Sequence, residues 1–245
     1  MTKHVLLDNV SHRDLRVSPT FRPGHGYDVN LARIFPSEFL LLQNEYPLFF
    51  IKNHDTSHFE PIALFGFSEQ ENLYLDDGRW NADYIPHSIE RQPLLIGFQD
   101  QTVDGVPTPM PVVHVDLDHP SISESEGTPL FLPHGGESEW LQRMTGILKA
   151  IHDGHEAIQP LSQTLVGMEL IESVSLDLKF ADGSKKILKG LYTVSESRLA
   201  ALAGTALELL NKRGYLHHVF MMLASQLNLE SLIKRKNRTL VATAS

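Results

Sequence analysis

Apolar and polar positions divide the chain into two strand-rich stretches, each followed by a helical one. Tyr46-Pro47-Leu48-Phe49-Phe50-Ile51-Lys52 is an aromatic, apolar run that stops at the turn formers Asn53-His54-Asp55-Thr56-Ser57, and residues 58–67 form a second run. Two such runs around a turn predict an antiparallel hairpin. Leu73-Tyr74-Leu75 ends at Asp76-Asp77-Gly78, a tight-turn signal. Residues 93–98 predict a short buried strand. Residues 111–118 alternate with period two, with Val113, Val115 and Leu117 on one face and His114, Asp116 and Asp118 on the other.

Residues 119–136, rich in proline and glycine, predict a loop. A helix is expected from Ser138, a good N-cap, with the stripe Trp140, Met144, Ile147, Leu148 and Ile151. Gly154 and Pro160 are expected to bend or interrupt it, with Leu161, Leu165 and Met168 extending the stripe. Val174 to Phe180 alternates strictly, turns at Ala181-Asp182-Gly183 and returns through Ile187, Leu188, Leu191 and Tyr192, a second hairpin. Thr193-Val194-Ser195-Glu196 fits a capping box that opens a helix ending at Lys212-Arg213-Gly214. A second helix is expected over about residues 215–227. Hairpin spacing rather than strand–helix–strand spacing predicts an α+β fold, mostly antiparallel sheet, with a helix after the first strand block and a C-terminal helix pair. The expected organisation is an irregular N-terminal arm over 1–36, a single domain over 37–230, and a basic, frayed tail over 231–245 around Lys234-Arg235-Lys236-Asn237-Arg238.

Composition narrows the chemistry. The 245 residues carry 21 basic and 30 acidic side chains, for a formal charge of −9, and no cysteine. Without cysteine there is no disulfide scaffold, thiolate zinc site, iron–sulfur cluster or cysteine nucleophile. The acidic balance argues against general nucleic-acid binding, which needs a basic field to neutralise phosphates. No apolar run approaches the ~18–20 residues that cross a bilayer, and the N-terminus lacks the apolar core of a secretory signal. The expectation is a cytoplasmic chain with no membrane span, with export by a signal-less route left open.

Asp77-Gly78-Arg79-Trp80, Tyr84-Ile85-Pro86 and Ile89-Glu90-Arg91-Gln92-Pro93-Leu94 form the most recognisable stretch. Together with Asp116-Leu117-Asp118, the loop from Glu124 to Phe131, and Asp182-Gly183 through Gly190-Leu191-Tyr192, it resembles the bacterial SapC-like family. The resemblance runs over about residues 38–230. It implies a link, in name, to a bacterial surface layer, and a genomic neighbourhood of flavoprotein halogenases, cupin-like oxygenases and outer-membrane receptors. The label of peptide-transport permease that some members carry conflicts with the missing span. The family supplies no catalytic residues; Trp80, Tyr84, Pro86, Arg91 and Tyr192 match as its signature.

Several constellations carry candidate chemistry. His114-Val115-Asp116 has the spacing of two ligands of a two-histidine, one-carboxylate iron site, with His152, His155, His217 or His218 as a distal ligand. The plainer reading is an exposed strand face. His152 and His155 stand at i, i+3, close enough on a helix to share a metal, against an exposed polar turn. Asp116, Asp118, Glu124 and Glu126 lack the order of a calcium loop. Trp80, Tyr84 and Arg91, an aromatic–arginine cluster beside a turn, suit either an interface hot spot or a set of core anchors. The sequence therefore predicts a non-catalytic SapC-like accessory protein, without cofactor, that binds a protein partner through Trp80, Tyr84, Pro86, Arg91 and Tyr192. The alternatives are an iron-dependent oxygenase using His114 and Asp116, and a small-molecule or peptide binder.

Overall fold

A computed structural model describes residues 3–243 except positions 19, 23 and 104. The chain divides into two units. The first comprises Met1–Tyr27, Asp77–Arg79 and His87–His152; the second comprises Asp28–Asp76, Trp80–Pro86 and Asp153–Ser245.

In the first unit, β1 (His4–Leu6) pairs antiparallel with β9 (Val106–Asp116), which pairs antiparallel with β8 (Leu94–Val103), in the order β1-β9-β8. A smaller sheet sets β2 (Arg16–Val17) between β10 (Ile122–Ser123) and β11 (Thr128–Pro129). The stretch expected as a loop thus contains two short strands, and the stretch expected as an arm supplies edge strands. Helix α2 (His87–Glu90) precedes β8. The strands expected over 93–98 and 111–118 run farther and join as one β8–β9 hairpin, with continuous register from Leu94↔Val115 to Val103↔Val106. Pro107, Pro109 and Pro111 hid its outer half, because proline reads as a strand breaker unless it lies on an edge.

The second unit is built on a five-stranded antiparallel sheet. Its strands are β3 (Leu31–Arg33), β4 (Leu48–Lys52), β5 (Phe59–Leu64), β12 (Ile171–Lys179) and β13 (Lys185–Val194), in the order β12-β13-β4-β5-β3. Both predicted hairpins are present, and a register shift between Val174 and Leu176 interrupts the second. Phe35, Phe39, Phe49, Phe50, Phe65 and Phe67 are fully buried around this sheet. Burying each contributes roughly 1.5–3 kcal/mol relative to exposure. Short helix α1 (Phe39–Leu42) packs beside the C-terminal helices α6 (Tyr215–Ser225) and α7 (Asn228–Thr243). Strands β6 (Leu75–Asp76) and β7 (Arg79–Trp80) flank the predicted tight turn, where Asp77 and Gly78 take φ 45° and 75°.

Helix α3 (Glu139–Gly167) belongs to both units. Ser138 caps it as expected, its Oγ accepting the Leu141 N–H at 3.2 Å. The expected interruption does not occur. Gly154 is needed for packing instead: a Cβ there would stand 2.7 Å from Cβ and Cγ of Phe35. Beyond Pro160, the Thr164 hydroxyl donates to the Pro160 carbonyl at 2.7 Å. The helix expected from Ser195 is two, α4 (Glu196–Ala200) and α5 (Gly204–Lys212), since Ala203 is extended at φ −66°, ψ 153°. The basic segment expected to fray lies inside α7. There Lys236 pairs with Glu71 at 2.6 Å, and the Arg235 guanidinium sits 4.4 Å from the Tyr74 ring centroid.

Candidate binding groove

Trp80 is 8% exposed. Its indole N–H donates to the Tyr46 hydroxyl, and its ring packs against Phe65 and Tyr74. The Tyr46 hydroxyl donates to the Tyr84 carbonyl at 2.6 Å, while the Tyr84 hydroxyl donates to Glu38 Oε1 at 3.1 Å. Glu45 accepts the backbone N–H groups of Asp83 and Tyr84. Burial pushes the Tyr46 and Tyr74 phenols well above their usual pKa, so both stay protonated donors. Pro86 is buried. Tyr192 sits in β13 opposite Phe50, with its ring 4.8 Å from Phe59. Arg91 belongs to the first unit, where it donates to the Leu94 carbonyl at 2.7 Å. Trp80 thus anchors the second unit's core, while Tyr84 and Tyr192 are half-buried at its margin. Sequence reasoning passed over the polar groups that hold Tyr84, namely Glu38, Glu45 and Tyr46. Glu38 gave a faint signal as an acid inside an otherwise apolar stretch, and it is only 1% exposed.

The metal candidates do not converge. The His114 imidazole lies over Gly97 of β8, so closely that a Cβ there would be 2.5 Å from Nε2. Asp116 Oδ1 accepts the Asp118 N–H, and its Oδ2 stands 3.7 Å from His4 Nε2. His152 faces Phe98 in the first unit, while His155 sets its ring against Phe35 in the second. Among the described residues, no group of three or more His, Asp or Glu side chains is arranged to hold a metal ion.

The first unit instead contains a groove between α3 and the β1-β9-β8 sheet. Its larger part is a cavity of about 570 Å³ bordered by Leu6 and Leu7, the loop residues Asp8, Asn9 and Glu137, and Leu141 of α3. A smaller part, about 140 Å³, continues past Ile96 and Leu148 to Lys149 and His152. The two share Val112, Val113 and Thr145 as a common wall. Leu141, Thr145, Leu148 and His152 recur at i, i+4, i+7 and i+11, one face of the helix. The combined volume falls in the range of ligand pockets, and the wall is mostly apolar with polar groups at its ends. Within it, the Thr145 hydroxyl is buried with no protein hydrogen-bond partner.

A separate cavity of about 300 Å³ holds Arg13 and Arg16, but each guanidinium is committed to a backbone carbonyl, Pro133 and Gly127 respectively. The α3 groove is the larger space and carries the longer apolar wall, which makes it the stronger site. No helix among the described residues is long and apolar enough to cross a membrane.

No curated protein and no solved structure matches this chain. The SapC family model matches residues 7–232, from just after β1 into α7 and so nearly the whole of both units; the chain belongs to the SapC family.

Proposed function

We propose that this SapC-family chain works as a non-catalytic accessory protein, and that the groove along α3 holds an extended apolar segment of a partner polypeptide. The observation that carries this reading is the continuous apolar wall from Leu6 to His152 with an unsatisfied hydroxyl, Thr145, at its middle. Leu141 to His152 spans about 16 Å at a helical rise of 1.5 Å per residue. That length matches about five residues of extended chain. Asp8, Asn9 and Glu137 lie at one end and Lys149 and His152 at the other, so polar groups bracket an apolar run. A segment with polar ends and an apolar middle complements it.

Isothermal titration with the blocked pentapeptide Lys-Leu-Val-Leu-Glu, and with the polar Lys-Ser-Asn-Ser-Glu, tests the reading. Saturable binding of the first alone, abolished by Thr145→Trp, is the expected result. Equal binding of both peptides, or binding that Thr145→Trp leaves intact, overturns it.

A further inference from the structure

The two edges of the β8–β9 ribbon are chemically different. Leu7 N–H bonds to the Val113 carbonyl at 2.9 Å and Leu117 N–H to the Lys3 carbonyl at 3.0 Å, so odd positions of β9 turn their backbone groups toward the β1 side. Asp116 N–H bonds to the Pro93 carbonyl at 3.1 Å, so even positions turn toward β8. Pro107, Pro109 and Pro111 are all odd. They fall on the outer edge of β9 beyond the end of β1, where each lacks the N–H that a further strand would need. That edge is closed to pairing.

The edge of β8 is the opposite case. With even positions of β9 bonded to odd positions of β8, Phe98, Asp100 and Thr102 direct N–H and C=O groups away from the ribbon. All three residues are exposed, Phe98 at 61%. An open edge of this kind is a template for strand addition.

We propose that β8 pairs antiparallel with β8 of a second copy of this chain, across a two-fold axis at Phe98. In that register each Phe98 exchanges both backbone hydrogen bonds with its counterpart, and the two rings form a cross-strand aromatic pair. Asp100 then stands opposite Ile96 of the second copy, leaving the two Asp100 carboxylates about 13 Å apart along the ladder. Centring the pair on Asp100 would set like charges face to face, which is destabilising. The asymmetry also limits the assembly. A two-fold contact consumes the open edge of both copies. The prolines of β9 and the three-residue length of β1 close the other side of this ribbon, so the β8 contact stops at two copies.

Light scattering on the full chain across a concentration series, with backbone amide exchange, tests this. The wild type is expected to reach twice the mass of one chain, with slow exchange at Phe98 and Asp100 as well as at the internally bonded Gln99 and Gln101. Asp100→Pro carries the β9 device over to β8. It should weaken self-association by at least about tenfold, releasing Phe98 while Gln99 and Gln101 stay protected. Phe98→Glu, which leaves every backbone donor in place, should weaken it comparably. A wild type that stays monomeric up to its solubility limit, or a dimer that both folded variants preserve, overturns the proposal.

Discussion

The Trp80 indole N–H donates to the Tyr46 hydroxyl at 2.7 Å, and that hydroxyl donates its own hydrogen bond to the Tyr84 carbonyl at 2.6 Å. One phenol therefore satisfies a donor and an acceptor within an aromatic cluster that includes Phe65 and Tyr74. Tyr46→Phe keeps the ring and removes both bonds. It should lower stability by about 1–3 kcal/mol, the cost of leaving buried polar groups unpaired. Trp80→Ala should cost about 3–5 kcal/mol through the cavity it opens. Urea denaturation reads both; an unchanged midpoint in Tyr46→Phe would contradict this account of the cluster.

Glu38 performs a similar office one step away, accepting from the Phe35 N–H and the Tyr84 hydroxyl. Glu38→Ala strands both donors and should destabilise by about 1–3 kcal/mol. Glu38→Gln should recover part of this, since its amide oxygen can still accept. In a double-mutant cycle with Tyr84→Phe, the combined loss should fall short of the sum of the single losses, because the two variants remove one shared bond.

Gly154→Ala separates propensity from packing. Alanine in an exposed helix gains about 1 kcal/mol over glycine. Here the added methyl would meet Phe35 at 2.7 Å. We expect net destabilisation of about 1–3 kcal/mol, the usual cost of overpacking. A stabilised variant would show that Phe35 has room to move.

This glycine illustrates what was legible in the sequence. The hairpins, the Ser138 cap and the α+β class were readable, because alternation and capping are local signals. Gly154, Pro160 and the prolines of β9 misled, since a breaker's meaning depends on what lies across from it: Phe35, the Thr164 hydroxyl, an open sheet edge. Trp80 and Tyr84 read equally as a hot spot or as core anchors, and only tertiary structure shows Trp80 buried and Tyr84 held by Glu38. The groove left no motif. Leu6, Val113 and Leu141 read as ordinary core positions, and only tertiary pairing leaves space between them.

Acid should weaken the fold through three histidines. Burial, aided by Arg143, holds His87 below its usual pKa. Burial does the same for His119, opposed by its contact with the His25 carbonyl, and for His218, reinforced by His217. A depressed folded-state pKa means the unfolded chain takes up protons first. Stability is therefore complete above the unfolded value of about 6.5 and declines as pH falls from there through the lowered folded values. Urea midpoints should drop between pH 7.5 and pH 5. His119→Gln, which preserves a polar partner for Ser121, should flatten part of that slope; an identical slope would remove His119 from the explanation.

Thr145→Val exchanges a partnerless buried hydroxyl for a methyl of the same shape. It should hold or raise stability, by up to about 1 kcal/mol, because an unsatisfied polar group no longer has to be desolvated. The same change should weaken a ligand that hydrogen-bonds this hydroxyl. A loss of stability in thermal unfolding would mean the hydroxyl already has a partner.

The most direct measurement is an amide chemical-shift map of the isotope-labelled chain as the apolar pentapeptide is added. The account predicts that the perturbed amides gather on residues 6–9, 112–113 and 141–152, while those around Trp80 and Tyr84 stay still. Shifts centred on Trp80 and Tyr84, with residues 141–152 silent, would contradict it.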